Sequence, residues 1–448
     1  MGIDQFPPGF HNFPPGGTTA PPGVSMSLIP AGSGTLLLRV VDQQLKINTL
    51  SPLPLPATIF IPAGNADGVV LSSLSALRIS GDVFNSAHDM QIDVRSVGGR
   101  ISGSIRDLGL PDTTTPAVSS VKAQVDPANQ MIVNWNKAMI SIDGTATGLS
   151  VDRSVGGALS ITGLAAGNGT SQWTLNLSGS VTPLTDVISL STAGANIVDY
   201  FNTVLEASTT SVHVPATLAD LANCMLYWHA ASSEVTPPSI TNGTGVTALI
   251  DRSPLASPIL PGAHNPTWIA DTGSGTPGVS FVNGGAGLEQ YFKITNSPVD
   301  DTVNHCVIAL FDAQTEHSTW NGIWTNDAAD SSGAELFTIS GQAQLNVNSH
   351  TGPGPAVTYN AWHLAIVYRT GTTWSVSLDG SVTSTDMTTN QPTGTKSFYI
   401  GAFAFNDSFL EASNMKLKAF AALQHSPSST ERTFIRNALH ALFPSDTP

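Results

Sequence analysis

The stretch NAWHLAIVYRTGTTWSVSLDGSV, residues 360–382, decides how the chain is read. Trp362, Leu364, Ile366 and Tyr368 alternate with Ala361, His363, Ala365 and Val367, the two-residue period of a strand. Thr370, Gly371, Thr372 and Thr373 supply a turn, and Trp374, Val376 and Leu378 line one face of a second strand. Asp379-Gly380 follows as a turn that tolerates positive φ. The pattern predicts an antiparallel hairpin within a large sheet, with Trp362 and Trp374 in the core.

The rest of the chain has the same character. Its 448 residues include 41 Gly and 30 Pro, and only 11% are charged, which predicts short strands joined by turns. The length exceeds one ordinary core and points to about two to four domains. A formal charge of −15, with no Lys/Arg cluster, argues against nucleic acid or an anionic membrane as partner. Cys224 and Cys306 lie in apolar runs and read as buried thiols, so neither a disulfide framework nor a thiolate zinc site is predicted. The opening MGIDQFPPGF has no basic or apolar signal region, and no apolar run reaches the ~18 residues of a membrane span. The expectation is a soluble protein made in a cytoplasm, without a signal peptide or membrane insertion.

Residues 1–24 form a Pro/Gly-rich arm in which PPG begins at Pro7, Pro14 and Pro21. Such a segment is stiff and builds no core of its own. Phe6, Phe10 and Phe13 are the candidate anchors by which it docks on a neighbouring subunit. Residues 25–112 read as a small β-domain with a rigid PLPLP connector at 52–56. In residues 113–217, VSSVKAQVDPANQMIVNWNKAM (118–139), GTSQWTLNLSGSV (169–181) and DVISLSTAGANIVDYFNTVLEA (186–207) resemble a bacterial immunoglobulin-like module. That resemblance implies a β-sandwich spacer, with Trp135 and Trp173 as core.

Residues 218–448 carry the segments CMLYWHAASS, ALIDRSP, GVSFVNGGAGL and VNHCVIALFDA, then the hairpin, then SFYIGAFAFNDSFLEASNMKLKAFAALQ. Their order and spacing resemble the concanavalin A-like, laminin-G-type jelly roll. The chain departs from that family's pattern at His229, Ile250, Pro254 and Asn283. SPSSTERTFIRNALHALF (426–443) reads as a terminal helix capped by Ser428 or Ser429, with Glu431 in its first turn. Phe434, Ile435, Leu439 and Leu442 form its apolar stripe. The predicted class is therefore all-β and multidomain, closing on a jelly-roll sandwich with one helix.

Catalytic signals are missing from the sequence. Paired carboxylates of the E-x-D-x-x-E type, a G-x-S-x-G elbow and an H-E-x-x-H motif do not occur, so no catalytic residue is assigned and a non-enzyme is expected. GSGTPG at 273–278 matches a phosphate-loop spacing, but Pro277 and the following VSFV make it a turn. The jelly-roll resemblance implies sugar binding through an exposed aromatic and nearby polar groups. EHSTWNGIWTNDAADSSG (316–333) offers Trp320, Trp324, Asn326 and Asp327 for that role. The alternative is that Ile323 and Trp324 form a short strand with the indole in the core. No cofactor is assigned; Asp327 and Asp330 could contribute to a calcium site, although two carboxylates do not make one. HNPTW at 264–268 is a second, weaker sugar candidate.

Arm, β-domain, spacer and jelly roll together resemble a modular bacteriophage virion protein, a decoration or tail-fibre component. That resemblance implies attachment to other virion proteins through residues 1–112, homo-oligomerisation, and a host-surface glycan as ligand. The alternatives are a bacterial surface adhesin or extracellular carbohydrate-binding protein, and a carbohydrate-active enzyme.

Overall fold

In the computed structural model, the described part of residues 1–113 consists of the strands at 26–27, 38–41, 44–47, 57–61, 77–81, 89–97 and 100–109. From residue 114 onward everything is described except 142–143, 155–156, 200–202, 274, 283–287, 315–320, 328–332, 348–349, 353, 388–396 and 406–408. The described chain is almost entirely β, with one α-helix, Ser429–Leu442. It divides into two compact units, Met1–Val214 and Pro215–Pro448.

The first unit holds a five-stranded sheet built around the antiparallel pair Asp89–Val97 and Arg100–Gly109. It also holds a β-sandwich from residue 118 to 211. There Gln130–Ser141 is the central strand, pairing with Val118–Ala123, Thr170–Leu177 and Ile197–Asp199. The facing sheet is Ser150–Arg153, Ile188–Ser191 and Thr209–Ser211. Trp135 and Trp173 meet edge to face in its core, 5.1 Å between ring centroids, as the alternation of both strands predicts.

The second unit is a two-sheet sandwich. In its first sheet Met415–Leu423 pairs with Cys306–Ala313 on one side and with both Cys224–His229 and Gly278–Phe281 on the other. The hairpin of the opening stretch is present as Trp362–Thr370 and Thr373–Leu378, extended by Ser381–Asp386. Ala365 and Val367 alternate onto the face shared with Trp374, Val376 and Leu378, all buried between the sheets. Leu364 and Ile366 lie on the opposite face but are also buried, because the terminal helix covers that side. Arg432 of the helix lies over the Tyr368 ring at 5.0 Å. Trp362 is not a core residue: it sits half-buried on the helix side with the Lys418 ammonium 4.3 Å from its ring centroid.

The helix begins as its sequence predicts. Ser428 Oγ accepts from the Glu431 amide at 3.1 Å and the Glu431 carboxylate accepts from the Ser428 amide at 2.9 Å, a capping box. Phe434, Ile435, Ala438 and Leu439 are its buried stripe.

The second sheet has seven strands in the order 260–261, 292–294, 397–400, 321–327, 334–339, 342–347 and 350–352. Register places Phe292, Ile400, Trp324, Leu336 and Leu345 in one inward row across it. The adjoining outward row is Leu260, Lys293, Tyr399, Thr325, Glu335 and Asn346. The Phe409–Ala412 and Ala402–Phe405 hairpin follows this sheet, and Thr325 Oγ1 donates to the Ala402 carbonyl at 2.9 Å.

Candidate functional site

The structure separates the residues that the 316–333 stretch offers for sugar binding. Trp324 is 1% exposed and lies parallel to Phe398, 5.8 Å between centroids, while Phe398 meets Phe420 of the facing sheet edge-on. Neither face of the indole is open to a sugar, so Trp324 corrects to a core residue. The reason is a β-bulge between Gly322 and Trp324, which lets Ile323 and Trp324 both be buried in succession. Asn326 also points inward and is 2% exposed, which removes it from a surface site. Asp327 ends the strand opposite Ser397. Trp320 and Asp330 lie outside the described residues, as do Phe6, Phe10 and Phe13 of the arm. Among the described residues no cluster of three or more His, Cys, Asp or Glu could hold a metal.

Asn326 instead belongs to a polar cluster at one end of the sandwich. Its Nδ2 donates to Asp301 Oδ2 at 2.9 Å, and the Asp301 carbonyl accepts from Arg369 Nη1. Arg369 Nε donates to the Gly371 carbonyl at 2.7 Å, and the Gly371 amide donates to Asn304 Oδ1 at 2.8 Å. These bonds tie the loop at 300–305 to the hairpin turn at 370–373. Burial pushes the Arg369 guanidinium below its ordinary pKa, only partly offset by the Asp301 and Asp300 carboxylates. Asp300, by contrast, is held below the usual carboxylate value by hydrogen bonds from the Thr302 hydroxyl and amide. His305 packs edge-on against Trp374, 4.9 Å between centroids.

Two atoms in this neighbourhood are buried without a hydrogen-bond partner, the acceptor Asn326 Oδ1 and the donor Trp374 Nε1. A buried polar atom left unpaired costs about 1–3 kcal/mol. The chemistry on offer is hydrogen bonding: the cluster positions no nucleophile against a base. Sequence reasoning missed Arg369, Asp301 and His305. A charged residue inside the apolar run HLAIVYRT was the available signal for Arg369.

No family model matches the chain, and no curated protein matches it in sequence. Solved structures do show similarity. The receptor-binding domain of botulinum neurotoxin mosaic serotype C/D is 9% identical, with 50% of each chain covered and a TM-score of 0.34. A structure of botulinum neurotoxin type C, whose cell entry is dependent upon interaction with two ganglioside molecules, is 9% identical over 48% of this chain and 51% of that one, TM-score 0.37. Domain 4 of a GH43 extracellular arabinanase from Geobacillus stearothermophilus, in complex with arabinotriose, is 10% identical over 48% of this chain and 98% of that one, TM-score 0.36. The chain spans about half the length of the neurotoxin structures it matches.

Proposed function

We propose that this chain is a non-catalytic adhesion protein whose C-terminal sandwich binds a glycan. The observation that carries the reading is the self-contained unit Pro215–Pro448. One outer face of that sandwich is covered by its own helix, and the middle of the other is buried at Thr325 and Tyr399, so the sheet edge around Leu260 and Tyr291 and the loop ends are the parts that can meet a ligand. Aromatic and polar groups held on a rigid sheet suit a sugar, which needs an apolar platform and fixed hydrogen-bond partners.

On this reading the chain is a virus-particle component, in the head, tail or fibre. Residues 1–112 attach it to other virion proteins through Phe6, Phe10 and Phe13, copies of the chain associate, and the sandwich at 118–211 is the spacer. The arm supports attachment because stiff, core-less Pro-rich segments become ordered only against a neighbour. A printed glycan array probed with the full chain tests the binding half: binding to a defined glycan subset is expected, and a blank array sinks it. Deleting residues 1–24 tests the attachment half. The shortened protein should fold yet fail to enter particles, and unchanged incorporation would remove the virion assignment.

A further inference from the structure

We propose that the sugar site is a tyrosine shelf at the edge of the seven-stranded sheet, formed by Tyr291, Tyr399 and Lys293 and seated on Gly262. The proposal rests on the glycan-binding reading above and locates it at residues that the 316–333 stretch does not contain.

Alternation places Tyr291 and Lys293 on the same outward face, because Phe292 between them is fully buried. Tyr399 is directly opposite Lys293 in the register and therefore shares that face. The rings of Tyr291 and Tyr399 stand 5.8 Å apart with a 59° tilt, and the Lys293 ammonium is 5.0 Å from the Tyr399 centroid. Tyr399 is almost completely buried and forms the floor; Tyr291 and Lys293 are partly exposed and form the open part.

Gly262 fixes the position of Tyr291. A Cβ built on it would lie 2.0 Å from Tyr291 Cζ and 2.4 Å from both Cε atoms, so the phenol ring occupies the space any side chain there would need. The Gly262 amide also donates to the Tyr291 carbonyl at 2.9 Å. The ring is thus held in place before any ligand arrives, which spares the entropy of ordering it on binding.

The surroundings suit a pyranose. Leu260, in the same outward row, is 52% exposed and extends the apolar surface beside the rings. His264 lies across a backbone bridge from Gln290, next to Tyr291, which brings one residue of the HNPTW stretch to this edge. A sugar ring can lay its C–H face on Tyr291 and Leu260 while a hydroxyl or carboxylate oxygen accepts from Lys293. The Lys293 ammonium, as a local positive charge, favours a sugar that carries a carboxylate over a neutral one.

The test uses the full chain and the tightest-binding oligosaccharide from the array, with titration calorimetry for affinity and thermal unfolding for integrity. Tyr291→Ala should weaken binding by about tenfold or more while the Tm stays within about 2 °C of wild type. Lys293→Gln, a partly exposed position that leaves the shelf in place, should weaken carboxylated sugars more than neutral ones. Wild-type affinity in both variants overturns the shelf and leaves the glycan reading standing. Failure of the wild-type chain to bind any array sugar overturns the two together. Should Tyr291→Ala lower the Tm strongly, Lys293→Gln alone decides: unchanged affinity across all sugars rejects the site.

Discussion

Lys418 and Asp446 form an ion pair with side-chain exposures of 0% and 1%, joining the middle of the central strand to the segment beyond the terminal helix. The carboxylate also accepts from Thr276 Oγ1 at 2.8 Å, and the ammonium is flanked by the rings of Trp362 and Phe443. Burial lowers the Lys418 pKa, with the Asp446 contact acting against that shift. Removing one partner of such a pair strands a buried charge, whereas replacing both by apolar groups often costs little. Asp446→Ala should therefore destabilise the C-terminal unit by about 3–5 kcal/mol, and Lys418→Met with Asp446→Leu by clearly less. Urea unfolding of the three proteins checks this; equal losses in single and double variants would refute it.

His363 and Asp379 give the hairpin a pH dependence. Burial disfavours a charged His363, but the Asp379 carboxylate at 2.6 Å and the Thr358 carbonyl at 2.9 Å outweigh it and raise the pKa above the ordinary 6.5. A raised imidazole pKa stabilises the fold fully below the unfolded value and loses that contribution as pH rises through the folded value. The Tm should therefore fall as pH rises from about 5.5 to about 8.5, and Asp379→Asn should flatten that slope. Asparagine is the right replacement because residue 379 has φ +51°. A slope identical in wild type and variant would remove His363 as its source.

Trp324→Ala should cost about 3–5 kcal/mol of stability, the usual loss for a large buried aromatic. Denaturant unfolding measures it. A change below about 1 kcal/mol would mean that the indole is not packed as described.

Chelation separates the calcium idea from the shelf. Tyr291, Tyr399 and Lys293 use no metal, so glycan binding should survive EDTA. Binding lost in EDTA and restored by calcium would point instead to Asp327 and Asp330.

Much of this fold could be read directly from the residues. The hairpin at 362–378, the Trp135–Trp173 core and the Ser428 cap each rest on neighbours in sequence, where a two-residue or helical period and a capping pattern are visible. The failures have a shared cause. Nothing local in MKLKAF distinguishes Lys418 from Lys416, and Lys418 is fully buried because residues 443–446 close over it. Ile323-Trp324 breaks the alternation through a bulge. The outward row from Leu260 to Asn346 is assembled from strands far apart in the chain, so its members share no local pattern. Tyr291 escaped notice for the same reason: its significance lies in Gly262 beneath it and Tyr399 beside it.

The strand Met415–Leu423 sits between three partners made much earlier, Cys224–His229, Gly278–Phe281 and Cys306–Ala313. During synthesis those three must wait, with open hydrogen-bonding edges and apolar faces, until residue 423 has left the ribosome. The C-terminal unit is thus a late-closing assembly, whose unpaired edges expose it to aggregation while it is being made. A chain halted before residue 415 should accumulate as insoluble aggregate, while the 118–211 sandwich upstream, complete by then, can already be folded.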